Sequence, residues 1–136
     1  MKTVNLELSK ELKAAGYPQN ISKFMWQVVQ IDEKYTPEVF FLESEESTAR
    51  YSTFYASPTA DETLDQLPMT IQPNNRGIGH LEINRYNQTK GFWGLWYKQG
   101  SGEIIGDSIG GESLADAAAK MWLYLKKENL LEDKTS

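Results

Sequence analysis

The sequence predicts a single α+β domain: a mainly antiparallel sheet of about five to six strands with helices packed on one face. Three observations lead there. Runs rich in β-branched and aromatic residues alternate with stretches of helical spacing, and the later strand runs are joined by short polar connections of the hairpin kind. The chain has 136 residues, the size of one ordinary core. The domain is expected over residues 1–131, with 132–136 as a frayed tail.

The first element reads as a short helix over about residues 9–15, because Leu8, Leu12 and Ala15 share a face while Gly16 and Pro18 stop it. A helix under ~12 residues is marginal alone, so its leucines must dock elsewhere in the fold. FMWQVVQI at 24–31 is rich in β-branched and aromatic side chains, and residues 39–42 repeat that character beyond Pro37; both read as strands. TARYSTFYA at 48–56 alternates, with Tyr51, Thr53 and Tyr55 on one face, and reads as a third.

SPTADETLDQLP opens a second helix. Either Ser57 caps it with Pro58 at the first helical position, or Thr59 caps it with Glu62 closing a capping box, and Pro68 ends it. After the turn-rich QPNNRGIG, residues 80–86 alternate, Leu81 and Ile83 facing one way and His80, Glu82, Asn84 and Tyr86 the other. Residues 92–98 and 103–107 complete an antiparallel meander.

In the last element Leu114, Ala117, Ala118, Met121, Trp122 and Leu125 keep helical spacing for about four turns. Ser113 with Asp116 resembles a capping box, and Lys126 and Lys127 suit the negative end of the helix dipole. The order α, βββ, α, βββ, α admits a diverged βββα duplication, resting on Ala60-Asp61 against Ala115-Asp116. The plainer reading is one undivided α+β unit.

Composition removes several chemistries. Cysteine is absent, which excludes disulfides, thiolate metal sites and a cysteine nucleophile. One histidine cannot build a His-rich zinc cage. The 14 basic and 19 acidic residues leave a net charge of -5, which repels duplex nucleic acid and anionic membranes over most of the surface. No run approaches the ~20 apolar residues of a membrane span, and the N-terminus lacks a signal-like apolar stretch, so a soluble, unexported protein is expected.

His80, with Glu82 two residues on, is where acid–base catalysis would begin, yet such a pair on a polar strand face is ordinarily solvated surface. Glu43, Glu45 and Glu46 lack the glycine-and-Asp pattern of a calcium loop. GSGEIIG and IGG match no phosphate-loop spacing and read as turns. No catalytic residue, metal site or cofactor is assigned.

RYNQTKGFWGLWYK is the most suggestive stretch. Four basic residues and one acidic residue fall between Arg76 and Lys98, a local positive excess in an acidic chain. Alternation puts Phe92, Gly94 and Trp96 on one face and Trp93, Leu95 and Tyr97 on the other, so both faces carry large rings. Either both faces are covered and the rings are core, or one presents an aromatic platform. Such a platform would anchor a protein partner or a homodimer through Arg85, Lys90, Phe92, Trp93, Trp96, Tyr97 and Lys98. Stacking of single-stranded nucleic acid is the alternative, disfavoured by net charge.

Three segments, LSKELKAAGYPQ, SPTADETLDQLP and ESLADAAAKMWLYLKKENLL, together resemble a group of small uncharacterised proteins encoded in bacteriophage and prophage genomes, and cover about a third of the chain. The resemblance implies an accessory protein acting in the cytoplasm of a bacterial host cell. It transfers no functional residue, because His80 and the aromatic strand lie outside those segments. The expected function is a noncatalytic interaction or self-association module; single-stranded nucleic-acid binding, or a small enzyme using His80, is the alternative.

Overall fold

Asn5 sets where the chain first turns helical: its side chain accepts the Leu8 N–H at 2.9 Å and opens α1, Leu6–Ala14. Sequence spacing placed this start some three residues later, because Asn5 was not read as a cap. Gly16, at φ 94°, takes the left-handed conformation that reverses the chain, and Tyr17 N–H then bonds back to the Leu12 carbonyl. The computed structural model describes residues 3–29, 38–42, 52–73, 77–86 and 92–131.

The first strands are β1 (Met25–Val29), β2 (Glu38–Leu42) and β3 (Ser52–Ala56). They form an antiparallel sheet in the order β2-β1-β3, with Trp26 opposite both Phe41 and Tyr55. Helix α2 (Ala60–Asp65) follows, and Thr59 is its cap: it accepts from the Glu62 N–H while the Glu62 carboxylate accepts from the Thr59 N–H. Ser57 serves a different purpose. Its buried hydroxyl donates to the Val4 carbonyl at 2.6 Å and fastens the N-terminal segment.

The second sheet contains β4 (Thr70–Ile71), β5 (Gly79–Tyr86), β6 (Phe92–Lys98) and β7 (Ile104–Gly111), antiparallel in the order β4-β5-β6-β7. Helix α3 (Leu114–Lys127) closes the fold, capped by Ser113. It ends in a Schellman turn, with Asn129 at φ 59° and Leu130 N–H bonded to the Leu125 carbonyl.

The α+β class and the antiparallel pairing are as expected, but the strands divide between two sheets. Helix α2 stands between β3 and β4, so no hairpin carries the pairing from one set to the next. The halves also differ in strand order. In the first, the earliest strand lies in the middle; the second is a sequential meander, which is not the topology of a repeated βββα unit.

The core lies between the inner face of the second sheet and the helices. Leu8 and Leu12 of α1, Leu95 and Tyr97 of β6, Ile105 of β7, and Ala118, Met121, Trp122 and Leu125 of α3 are all buried there. Alanines let α3 approach the sheet closely: a Cβ on Gly111 would meet the Ala117 backbone nitrogen at 2.7 Å.

Candidate functional site

Pairing between β5 and β6 places Arg85 directly opposite Trp93. Both lie on the inner face, which continues through Leu95 and Tyr97. Helix α3 covers the middle of that face but begins only at Leu114, so the Arg85–Trp93 end emerges beyond the helix and walls a cleft of about 590 Å³. The opposite wall is Lys23 and Phe24, just before β1. The start of α2, residues 59–62, and the approach to α3, residues 112–115, close the remaining sides. The cleft therefore sits where the two sheets and two helix starts meet, and its volume falls within the ~300–1,000 Å³ of ligand pockets.

Two cation–ring pairs line it. The Arg85 guanidinium lies 5.5 Å from the Trp93 ring centroid, and the Lys23 ammonium lies 5.8 Å from that of Phe24. Arg85 is exposed and makes no hydrogen bond or ion pair among the described residues. Three acids also reach the cleft. Glu62 is spent internally, accepting the Thr59 and Lys23 N–H groups at 2.9 Å each; Asp61 and Glu112 are exposed.

The residues expected to bind a partner are only partly brought together. Arg85 and Trp93 meet in the cleft. Tyr97 does not belong to any surface: it is 1% exposed, and its hydroxyl donates to the Pro68 carbonyl at 2.7 Å. Trp96 and Lys98 lie on the outer face of the sheet, both held by Glu82, which accepts the Trp96 indole N–H at 2.9 Å and stands 3.9 Å from the Lys98 ammonium. Lys90 and the Phe92 side chain lie outside the described residues. Lys23, Phe24 and Leu114 were missed. Nothing local in the sequence marks them, since the fold brings them to Trp93 from distant elements.

His80 is exposed on the outer face, opposite Thr70 and Lys98, and lines neither this cleft nor the second one described below. Its supposed partner Glu82 is committed to Trp96 and Lys98. Glu43, Glu45 and Glu46 lie outside the described residues, and among those described no three acidic or histidine side chains group as metal ligands. Of the glycine groups, Gly102 and Gly106 take positive φ, as turn and bulge positions do.

Comparison of the chain with protein-family models, curated proteins and solved structures finds no match. The site must be read from its own geometry. Two further features are of note. A small cleft of about 200 Å³ lies between Ile71, Ile105, Tyr124 and Leu130. On the first sheet, Val39 and Phe41 of the edge strand β2 are 43% and 45% exposed, with Phe41 stacked on Phe24 at 5.5 Å. No helix among the described residues is long and apolar enough to cross a membrane.

Proposed function

We propose that the protein is a noncatalytic interaction module that receives a segment of a partner protein in the cleft walled by Arg85 and Trp93. The observation that supports this most is the Arg85 guanidinium: it is positioned over an indole, exposed, and free of an intramolecular ion pair among the described residues. Arg and Trp are the residue types that dominate binding energy at protein interfaces. The proposal includes a setting, an accessory protein of a phage or prophage acting in the host cytoplasm, supported by the likeness of the three helical segments.

Single-stranded nucleic acid is supported less well, because Arg85 and Lys98 fall on opposite faces and Trp96 is bonded to a carboxylate. Self-association is the second reading, and the exposed Val39 and Phe41 on an edge strand favour it.

Selection from a random peptide library on the immobilised protein tests the cleft. Recovered peptides should shift the NMR resonances of Trp93 and Leu114 and lose binding to a Trp93→Ala variant that stays folded by circular dichroism. Recovery of none, or of peptides that shift only resonances elsewhere, overturns the reading.

A further inference from the structure

Resting on that reading of the cleft, we infer that the group Arg85 captures is a single carboxylate, borne by a partner peptide beside an apolar side chain. The Arg85 guanidinium sits over the Trp93 ring, 5.5 Å from its centroid, and is exposed, so its planar fork of N–H donors is open to a carboxylate, which it can grip with two parallel hydrogen bonds. Around it the walls are apolar: the Trp93 indole, the Phe24 ring, Leu114 and Ala115. An acidic side chain flanked by a leucine or phenylalanine meets both conditions.

Charge fixes the number of negative groups. Arg85 and Lys23 supply two positive charges. Glu62 is bound to backbone donors but keeps its charge, so together with Asp61 and Glu112 on the exposed margin three carboxylates face any anion. One carboxylate next to Arg85 is attracted more strongly than it is repelled by acids on the solvated rim. A dianion such as a phosphoryl group adds a second charge that the three carboxylates oppose. The site therefore selects a carboxylate over a dianionic phosphoryl group.

Three matched probes test this: acetyl-Leu-Phe-Glu-amide, its Gln counterpart and its phosphoserine counterpart, titrated into the intact protein and followed by ¹H–¹⁵N NMR. The Glu peptide should shift the Trp93 indole N–H and bind about tenfold more tightly than the Gln peptide, with the phosphoserine peptide binding more weakly than the Glu peptide. Arg85→Gln should abolish the Glu-over-Gln preference, and Arg85→Lys should reduce it several-fold, since an ammonium does not pair bidentately. Arg85 is exposed, so both variants should fold. Equal binding of the Gln peptide at the same resonances, or equal or tighter binding of the phosphoserine peptide, overturns the carboxylate preference and leaves the cleft standing as a site. Shifts that avoid Trp93 and Leu114 with every probe overturn both.

Discussion

The phenol of Tyr97 donates to the main-chain carbonyl of Pro68 at 2.7 Å, tying the centre of β6 to the segment that follows α2. Tyr17 is equally buried, edge-on to Trp122 at 5.1 Å, yet its hydroxyl has no hydrogen-bond partner among the described residues, the neighbouring Thr63 hydroxyl being donated to the Thr59 carbonyl. The two Tyr→Phe changes should therefore diverge. Tyr97→Phe strands a buried carbonyl and should cost about 1–3 kcal/mol, whereas Tyr17→Phe removes an unsatisfied group and should be neutral or stabilising. Urea denaturation of both variants at neutral pH measures the difference, and equal losses would contradict the assigned bonding.

The same two phenols give the fold an alkaline limit. Burial pushes Tyr17 from 10.0 up to about 12; the neighbouring Thr63 hydroxyl acts in the other direction, and the Glu62 and Asp65 carboxylates add smaller upward contributions. Tyr97 is also raised, by burial. Because the folded values lie above the unfolded ones, the neutral phenols contribute stability that is complete below pH 10 and is lost as pH rises through the folded values. The unfolded chain binds fewer protons in that window, so the slope is negative, about 1.4 kcal/mol per pH unit for each phenol. Unfolding free energy measured from pH 8 to 12 should fall above pH 10, and Tyr17→Phe should make the fall shallower between 10 and 12.

Gly111 marks the closest approach of β7 to α3. A methyl group there would meet the Ala117 nitrogen at 2.7 Å and its Cα at 3.0 Å, both backbone atoms that move only if the whole helix moves. Gly111→Ala should destabilise by about 1–3 kcal/mol through overpacking. Gly100→Ala is the control, with nothing within 4 Å of the added carbon. Thermal unfolding should show a lowered Tm for the first and an unchanged one for the second.

What the sequence discloses of this fold follows the range of the interactions involved. The α3 stripe and the Thr59–Glu62 box are local patterns, so they can be read directly from spacing. Period-two alternation also sorts β6 into the correct faces, Trp93 with Tyr97 and Trp96 apart from them. It does not say which face is inward, because rings occupy both. That choice is made by α3, which docks alanines against Leu95 and Tyr97. β4 has two residues and no period at all. The cleft depends on Lys23 and Phe24 reaching Trp93 from another sheet, a juxtaposition made by tertiary packing alone.

Strand β2 puts the self-association reading to a direct test. It borders the first sheet, and Val39 and Phe41 project from it a little under half exposed, while Phe41 also packs on Phe24 and lies 5.0 Å from Trp26. Edge strands of soluble proteins are commonly guarded by a charge, especially lysine, and no charge lies between Val39 and Leu42. If copies of the chain pair through this edge, the antiparallel register centred on residue 40 sets each Val39 against the other copy's Phe41. Val39→Lys then places a cation in the middle of the contact without touching the Phe24–Phe41–Trp26 cluster. Sedimentation velocity over a concentration series should show association for the wild type and its loss for Val39→Lys, with unchanged circular dichroism. A wild type that stays monomeric throughout the series removes this reading, and association that persists undiminished in the variant moves the contact to another surface.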